Sequence, residues 1–223
     1  MELIINLPLD IQIHIFNYLS PIEIVKLLKV SKSIINLIKE ISFGIKLDLI
    51  GTNITDSTLK YLSGVRTINL CACSKITDAG LKYLKGVHTI NLKWCMQITD
   101  AGLAHLKGVH TINLYGYKKI TDAGLAHLKG VHTINLFLCE ELTDAGLIHL
   151  TGVHTIDIGT CDKITDTGLL HLKGVHTISI YGCSKITDAG LIHLKGVHTI
   201  DCSFCYKITN EGLAHLKGAI IKN

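Results

Sequence analysis

The chain has 223 residues, 48% of them apolar, with 22 Lys and Arg against 18 Asp and Glu for a formal net charge of +4. That apolar share excludes a disordered chain, and a charge so small and so evenly spread makes no case for nucleic acid as a partner. Met1 is followed at once by Glu2, Pro8 and Asp10 with no basic segment, and no apolar run reaches the roughly 18 residues of a membrane helix, so neither an export signal nor a membrane is expected. The eight cysteines then belong in a reducing compartment as free thiols, which places the protein in the cytoplasm.

Residues 1–44 do not repeat. Leu7 and Pro8 open a segment with Ile11, Ile15, Phe16 and Leu19 at helical spacing. Ser20, Pro21 and Glu23 form a capping box with proline at the first helical position, and Val25 and Leu28 continue that second helix. Ser31 is placed to cap a third helix carrying Ile34, Ile35, Leu37 and Ile38. Three helices this short bury too little surface alone and must dock on something; a cap over the first repeat is one reading.

Residues 7–38 closely resemble an F-box. Leu7, Pro8, Ile11, Ile15, Phe16, Tyr18, Leu19, Pro21, Leu28, Val30 and Lys32 stand where that motif has its characteristic residues. Ser31 and Ile34 depart from it, replacing the usual cysteine and tryptophan of the motif's second half. The resemblance implies an adaptor-binding surface that includes Leu7, Pro8, Ile11, Ile15 and Pro21.

From residue 45 to the C-terminus a unit of 22 residues recurs about eight times. GVHT begins at Gly86, Gly108, Gly130, Gly152, Gly174 and Gly196, and I/L-T-D-x-G-L begins at Ile76, Ile98, Ile120, Leu142, Ile164 and Ile186. Such a period marks a solenoid, in which each unit packs only on its neighbours. In one unit, Thr89 to Leu92 read as a strand with Ile90 and Leu92 inward. Asp100 offers an N-cap carboxylate, Leu103 and Leu106 make a buried helical stripe, and Gly108 stops the helix after Lys107. The C-terminal GAIIKN stops where the next strand should form, leaving an open sheet edge.

Val87, Ile90, Leu92, Cys95 and Ile98 have the spacing of a leucine-rich repeat. The array resembles the cysteine-containing leucine-rich repeats, which implies an α/β, right-handed solenoid of strand–loop–helix units with a parallel concave sheet. The expected organisation is a three-helix F-box-like domain at residues 1–44 followed by a leucine-rich-repeat domain at residues 45–223. The isoleucine-rich, near-identical copies also resemble those of giant amoeba-infecting viruses, so the compartment is a host cell's cytoplasm or nucleus on that resemblance.

The repeated columns read as architecture. Cys73, Cys95, Cys139, Cys161, Cys183 and Cys205 fit a weakly polar side chain under the loop, with Tyr117 interrupting the series. Cys202 and Cys205 spell C-x-x-C without a second pair, so no metal is expected. The histidine rows (His88 to His198 and His105 to His215) look like copied surface residues, and no asymmetric constellation suits catalysis, so neither enzyme activity nor a cofactor is expected.

The columns that vary are more informative. After the inward strand residue the copies differ in size, charge and aromaticity, and Trp94, Tyr115, Phe137, Tyr181, Phe204 and Tyr206 fall there. Aromatic anchors of this kind suit a protein-binding surface. Together the two resemblances imply the substrate-recognition subunit of a cullin–RING ubiquitin ligase: the head docks on the ligase's adaptor, the repeats hold a target protein, and no nucleic acid or membrane takes part. The other reading is a stand-alone interaction scaffold whose head is only a cap.

Overall fold

The computed structural model describes residues 7–30, 33, 36–37 and 46–223, and the chain falls into two compact units, Met1–Val109 and His110–Asn223. The first unit opens with helices α1 (Leu9–Tyr18) and α2 (Pro21–Val30). The capping box forms as expected: the Ser20 N–H and hydroxyl both donate to Glu23 Oε2, at 2.8 and 2.6 Å. α1 packs against the first strand, and Ile24 of α2 is buried at 1% exposure. Of the third helix, Leu37 is described and buried, while Ser31, Ile34, Ile35 and Ile38 lie outside the described residues.

The rest of this unit carries strands β1 (Lys46–Asp48), β2 (Thr67–Asn69) and β3 (Thr89–Asn91), paired in parallel in chain order. The second unit carries β4 (Thr111–Asn113), β5 (Thr133–Asn135), β6 (Thr155–Asp157), β7 (Thr177–Ser179), β8 (Thr199–Asp201) and β9 (Ile220–Lys222), again parallel and in chain order. Register follows the repeat, Ile134 standing opposite Ile156 and Ile156 opposite Ile178. GAIIKN itself supplies the last strand, with Ile221 aligned with Ile200 and the Cys202 N–H donating to the Lys222 carbonyl at 2.8 Å, so the open sheet edge falls at β9 and not before it. Main-chain pairing needs no particular side chain, so a sequence that has lost the repeat motif still completes the strand.

Strands β1 to β7 each return through one α-helical turn and a 3-10 turn, such as Asp144–Leu147 and Ile148–Leu150, while β8 returns through the helical turn Asn210–Leu213 alone. Leu147 and Leu150 are buried with Ile134 and Leu136 in the continuous core. Gly152, at φ 85°, then takes the left-handed turn that starts the next strand.

The aspartates do more than the sequence suggests. In this repeat Thr143 is the N-cap, accepting from the Ala145 N–H, and Asp144 is the first helical residue. The Asp144 carboxylate reaches into the next repeat, where it accepts from the Thr165 N–H (2.8 Å) and hydroxyl (2.6 Å). A Cβ on Gly168 would collide with that same carboxylate, so threonine, aspartate and glycine of the motif form one inter-repeat device.

The cysteines also link successive repeats. Cys161 Sγ donates to the Leu136 carbonyl and Cys183 Sγ to the Ile158 carbonyl, both at 3.2 Å. Burial pushes the Cys139 and Cys183 thiols up to about 12, so they remain neutral donors.

Candidate functional site

In the second unit the varying residues are aimed by the strands before them. Alternation turns Ile134 and Leu136 inward and leaves Thr133, Asn135 and Phe137 on the open face. Asn113 Oδ1 accepts the Tyr115 N–H at 2.9 Å, and Asn135 Oδ1 accepts the Phe137 N–H at 3.0 Å, fixing the backbone where each strand ends. The next residue turns left-handed: Leu138, Thr160 and Phe204 have φ of 61°, 55° and 63°. The conformation is held because its N–H is shared between repeats; Leu138 donates to the Gly159 carbonyl at 3.0 Å and Thr160 to that of Tyr181 at 2.7 Å.

The aromatic side chains meet. Tyr115 and Phe137 stack at 5.1 Å with planes 8° apart. Phe137 and Tyr181 approach to 5.9 Å across Gly159, which has no side chain to separate them. Tyr181 meets Phe204 edge-on at 5.0 Å, and Phe204 meets Tyr206 at 6.5 Å. Five of the six expected aromatics thus form one chain of rings, ending in the exposed Phe204 (56%) and Tyr206 (88%). Trp94 belongs to the first unit, left-handed at φ 65° and 47% exposed.

Beside the rings lie residues that the sequence reading did not single out. The third strand position is Asp48 in the first strand, Asn69, Asn91, Asn113 and Asn135 in the next four, then Asp157, Ser179 and Asp201. The change after four successive asparagines was the available signal. Burial pushes the Asp157 carboxyl up, against hydrogen bonds from Gly159, Ser179 and Asn135. Burial acts the same way on Asp201, but Lys222 at 2.8 Å and Ser203 hold that carboxyl below the usual range.

On the opposite border, His110, His132, His154, His176 and His198 stack ring on ring at 4.5 to 4.7 Å. Parallel rings cannot turn two lone pairs onto one ion, and among the described residues no group of His, Cys, Asp or Glu is suited to hold a metal. Elsewhere Ile148, Leu170 and Ile192 form a second exposed apolar row, one per 3-10 turn.

In the head, Leu7 (36%) and Ile11 (42%) are exposed, as is Pro8, while Ile15 is half-buried. Pro21 is the first residue of α2. Leu9, Tyr18 and Ile22 add to this open apolar surface at 57%, 75% and 64%. No described helix is long and apolar enough to cross a membrane.

Residues 4–46 match the F-box domain. The repeats have the leucine-rich-repeat fold. Internalin C2 of Listeria monocytogenes is 24% identical over 75% of this chain and 73% of that one, with a TM-score of 0.56. A second internalin of that organism, inlF, is 22% identical over 84% of this chain and 56% of that one, at 0.63. TLR13, solved in complex with ssRNA, is 16% identical over 86% of this chain and 30% of that one, also at 0.63. The chain therefore spans less than two thirds of the last two, and all three likenesses are likenesses of fold. Among curated proteins none matches the sequence. An F-box joined to leucine-rich repeats is an arrangement of interaction modules.

Proposed function

We propose that this protein is the substrate-recognition subunit of a cullin–RING ubiquitin ligase, acting in the cytoplasm or nucleus of its cell. The F-box-like domain of residues 1–44 docks on the ligase's adaptor, and the repeats of residues 45–223 hold a target protein. The observation that carries the reading is the exposed Leu7, Pro8 and Ile11 within the stretch that matches the F-box. Apolar side chains left open at the start of a helical head need a partner's cover. Ile15 and Pro21 complete that adaptor surface in the proposal.

At the other end, Tyr115, Phe137, Tyr181, Phe204 and Tyr206 supply rigid apolar contact area, with Trp94 as an anchor in the first unit. Such a receptor performs no bond chemistry of its own and needs no cofactor; it raises the effective concentration of its target. A second reading, the stand-alone scaffold, draws on the buried Ile24 and on α1 lying against β1, which suit a cap.

Co-purification with the adaptor separates the two. Leu7→Ala with Pro8→Ala should abolish adaptor binding and leave the circular dichroism of the repeats unchanged. Undiminished binding by the double variant, or no adaptor binding by the parent, overturns the receptor reading in favour of the scaffold.

A further inference from the structure

The third strand position has a local task that requires no charge. Asn135 Oδ1 accepts the Phe137 N–H at 3.0 Å, and Asp157 Oδ1 accepts the Gly159 N–H at the same distance. Asparagine fills the position in four repeats, so the turn does not explain why Asp157 and Asp201 are acidic. A half-buried carboxylate is disfavoured by its surroundings, as the upward push on Asp157 reflects. Asp201 has its cation in Lys222, whereas Asp157 makes no ion pair among the described residues. Its hydrogen-bond partners, Asn135, Gly159 and Ser179, are all neutral.

What surrounds Asp157 is aromatic. The point a Cβ on Gly159 would occupy lies 2.6 and 2.7 Å from two Phe137 ring carbons and 3.2 Å from Asp157 Oδ1. The missing side chain at Gly159 thus brings the Phe137 ring beside the Asp157 carboxylate, and Tyr181 lies 5.9 Å from Phe137. Ring faces next to an unneutralised carboxylate suit a cation with an alkyl stem, which lies on the rings while its N–H groups meet the oxygens.

The geometry points to a lysine or arginine side chain of the bound target segment, its stem lying over the Phe137 and Tyr181 rings and its cationic head at Asp157. This rests on the reading of the aromatic chain as the target-binding surface and adds the chemistry of what that surface selects. Charge complementarity picks the occupant: Asp157 is the carboxylate of this column that lies beside a ring of the aromatic chain with no cation paired to it among the described residues.

The test uses the full chain and a displayed library of random twelve-residue peptides. Selected peptides are measured by fluorescence anisotropy against the parent, Asp157→Asn and Phe137→Ala. Asp157→Asn keeps the turn, as Asn135 does, and a thermal melt checks its fold. Peptides weakened by Phe137→Ala should carry a Lys or Arg whose replacement by norleucine lowers affinity about tenfold, the scale of one charge-assisted hydrogen bond. Asp157→Asn should produce the same loss and abolish the effect of the norleucine change. Peptides that need Phe137 but ignore Asp157→Asn overturn the cation pocket and leave the aromatic surface standing. Peptides indifferent to Phe137→Ala, or a library without binders, overturn both.

Discussion

The Asp122 carboxylate of one repeat accepts both the N–H and the hydroxyl of Thr143 in the next, at 2.9 and 2.6 Å. Asp144 treats Thr165 in the same way, and Asp188 treats Thr209, so a chain of carboxylates ties the helical side of the second unit together. The cysteines tie successive repeats as well, each donating to a backbone carbonyl at the end of the preceding repeat's strand.

The aspartate device predicts a coupling. Asp144→Ala should cost about 2–3 kcal/mol through two lost charge-assisted hydrogen bonds, and Gly168→Ala about 1–3 kcal/mol through the clash with that carboxylate. The double variant should fall well short of the sum, because removing the carboxylate makes room for the new methyl group. Urea denaturation of the four proteins measures this, and strict additivity would refute the shared contact.

Acid should loosen the same device. The Thr209 N–H and hydroxyl hold the Asp188 carboxyl below its usual range. A folded-state pKa below the unfolded one means the unfolded chain binds more protons, so this stability is present above about pH 4 and lost as pH falls through the folded value. Denaturation midpoints between pH 5 and pH 2.5 should decline less steeply in Asp188→Asn; an unchanged slope counts against the assignment.

His176 titrates in the opposite sense to a salt-bridged histidine. Partial desolvation, and then the charges of His154 and His198, hold His176 below its ordinary value. The folded protein therefore protonates less readily than the unfolded chain, and its stability is intact above about pH 6.5 and declines below it. In NMR titrations the His176 midpoint should rise in His154→Gln, which removes one stacked neighbour. A midpoint that stays where it was would mean that solvent screens the row completely.

Left-handed backbone at Thr160 (φ 55°) is costly for a β-branched residue, while Gly116 takes the equivalent position at φ 80° without cost. Thr160→Gly should stabilise by about 0.5–1 kcal/mol and Gly116→Val should destabilise by about 1–2 kcal/mol. Thermal melts give both values, and a destabilised Thr160→Gly would show that its hydroxyl, 2.8 Å from the Gly159 carbonyl, outweighs the strain.

The thiols offer a test of the core. Cys139, Cys161, Cys183 and Cys205 are buried, with pKa values raised by burial, while Cys71 is partly exposed. Iodoacetamide at pH 8 should label Cys71 quickly and the four buried cysteines only as fast as the array unfolds. Mass spectrometry of the labelled peptides reports this, and prompt labelling of Cys161 would contradict the packing.

The sequence alone determined the solenoid, because a 22-residue period repeats each element's burial pattern: isoleucine inward in the strand, two leucines three apart in the helix, glycine at the turn. It also exposed the aromatic column, since near-identical copies make variation visible at Tyr115, Phe137 and Tyr181. It misread the motif's aspartate, Asp100 in its unit, as a cap for its own helix, because a carboxylate before a helix looks local, and only the stacking of repeats brings the equivalent Asp144 to Thr165, 21 residues on. It ended the sheet before GAIIKN, which pairs as the last strand, because backbone pairing leaves no motif to read. Whether the aromatic rings touch was likewise a tertiary matter. Strand spacing sets Tyr115 on Phe137, and only the absent side chain at Gly159 lets Phe137 reach Tyr181 and lie beside Asp157.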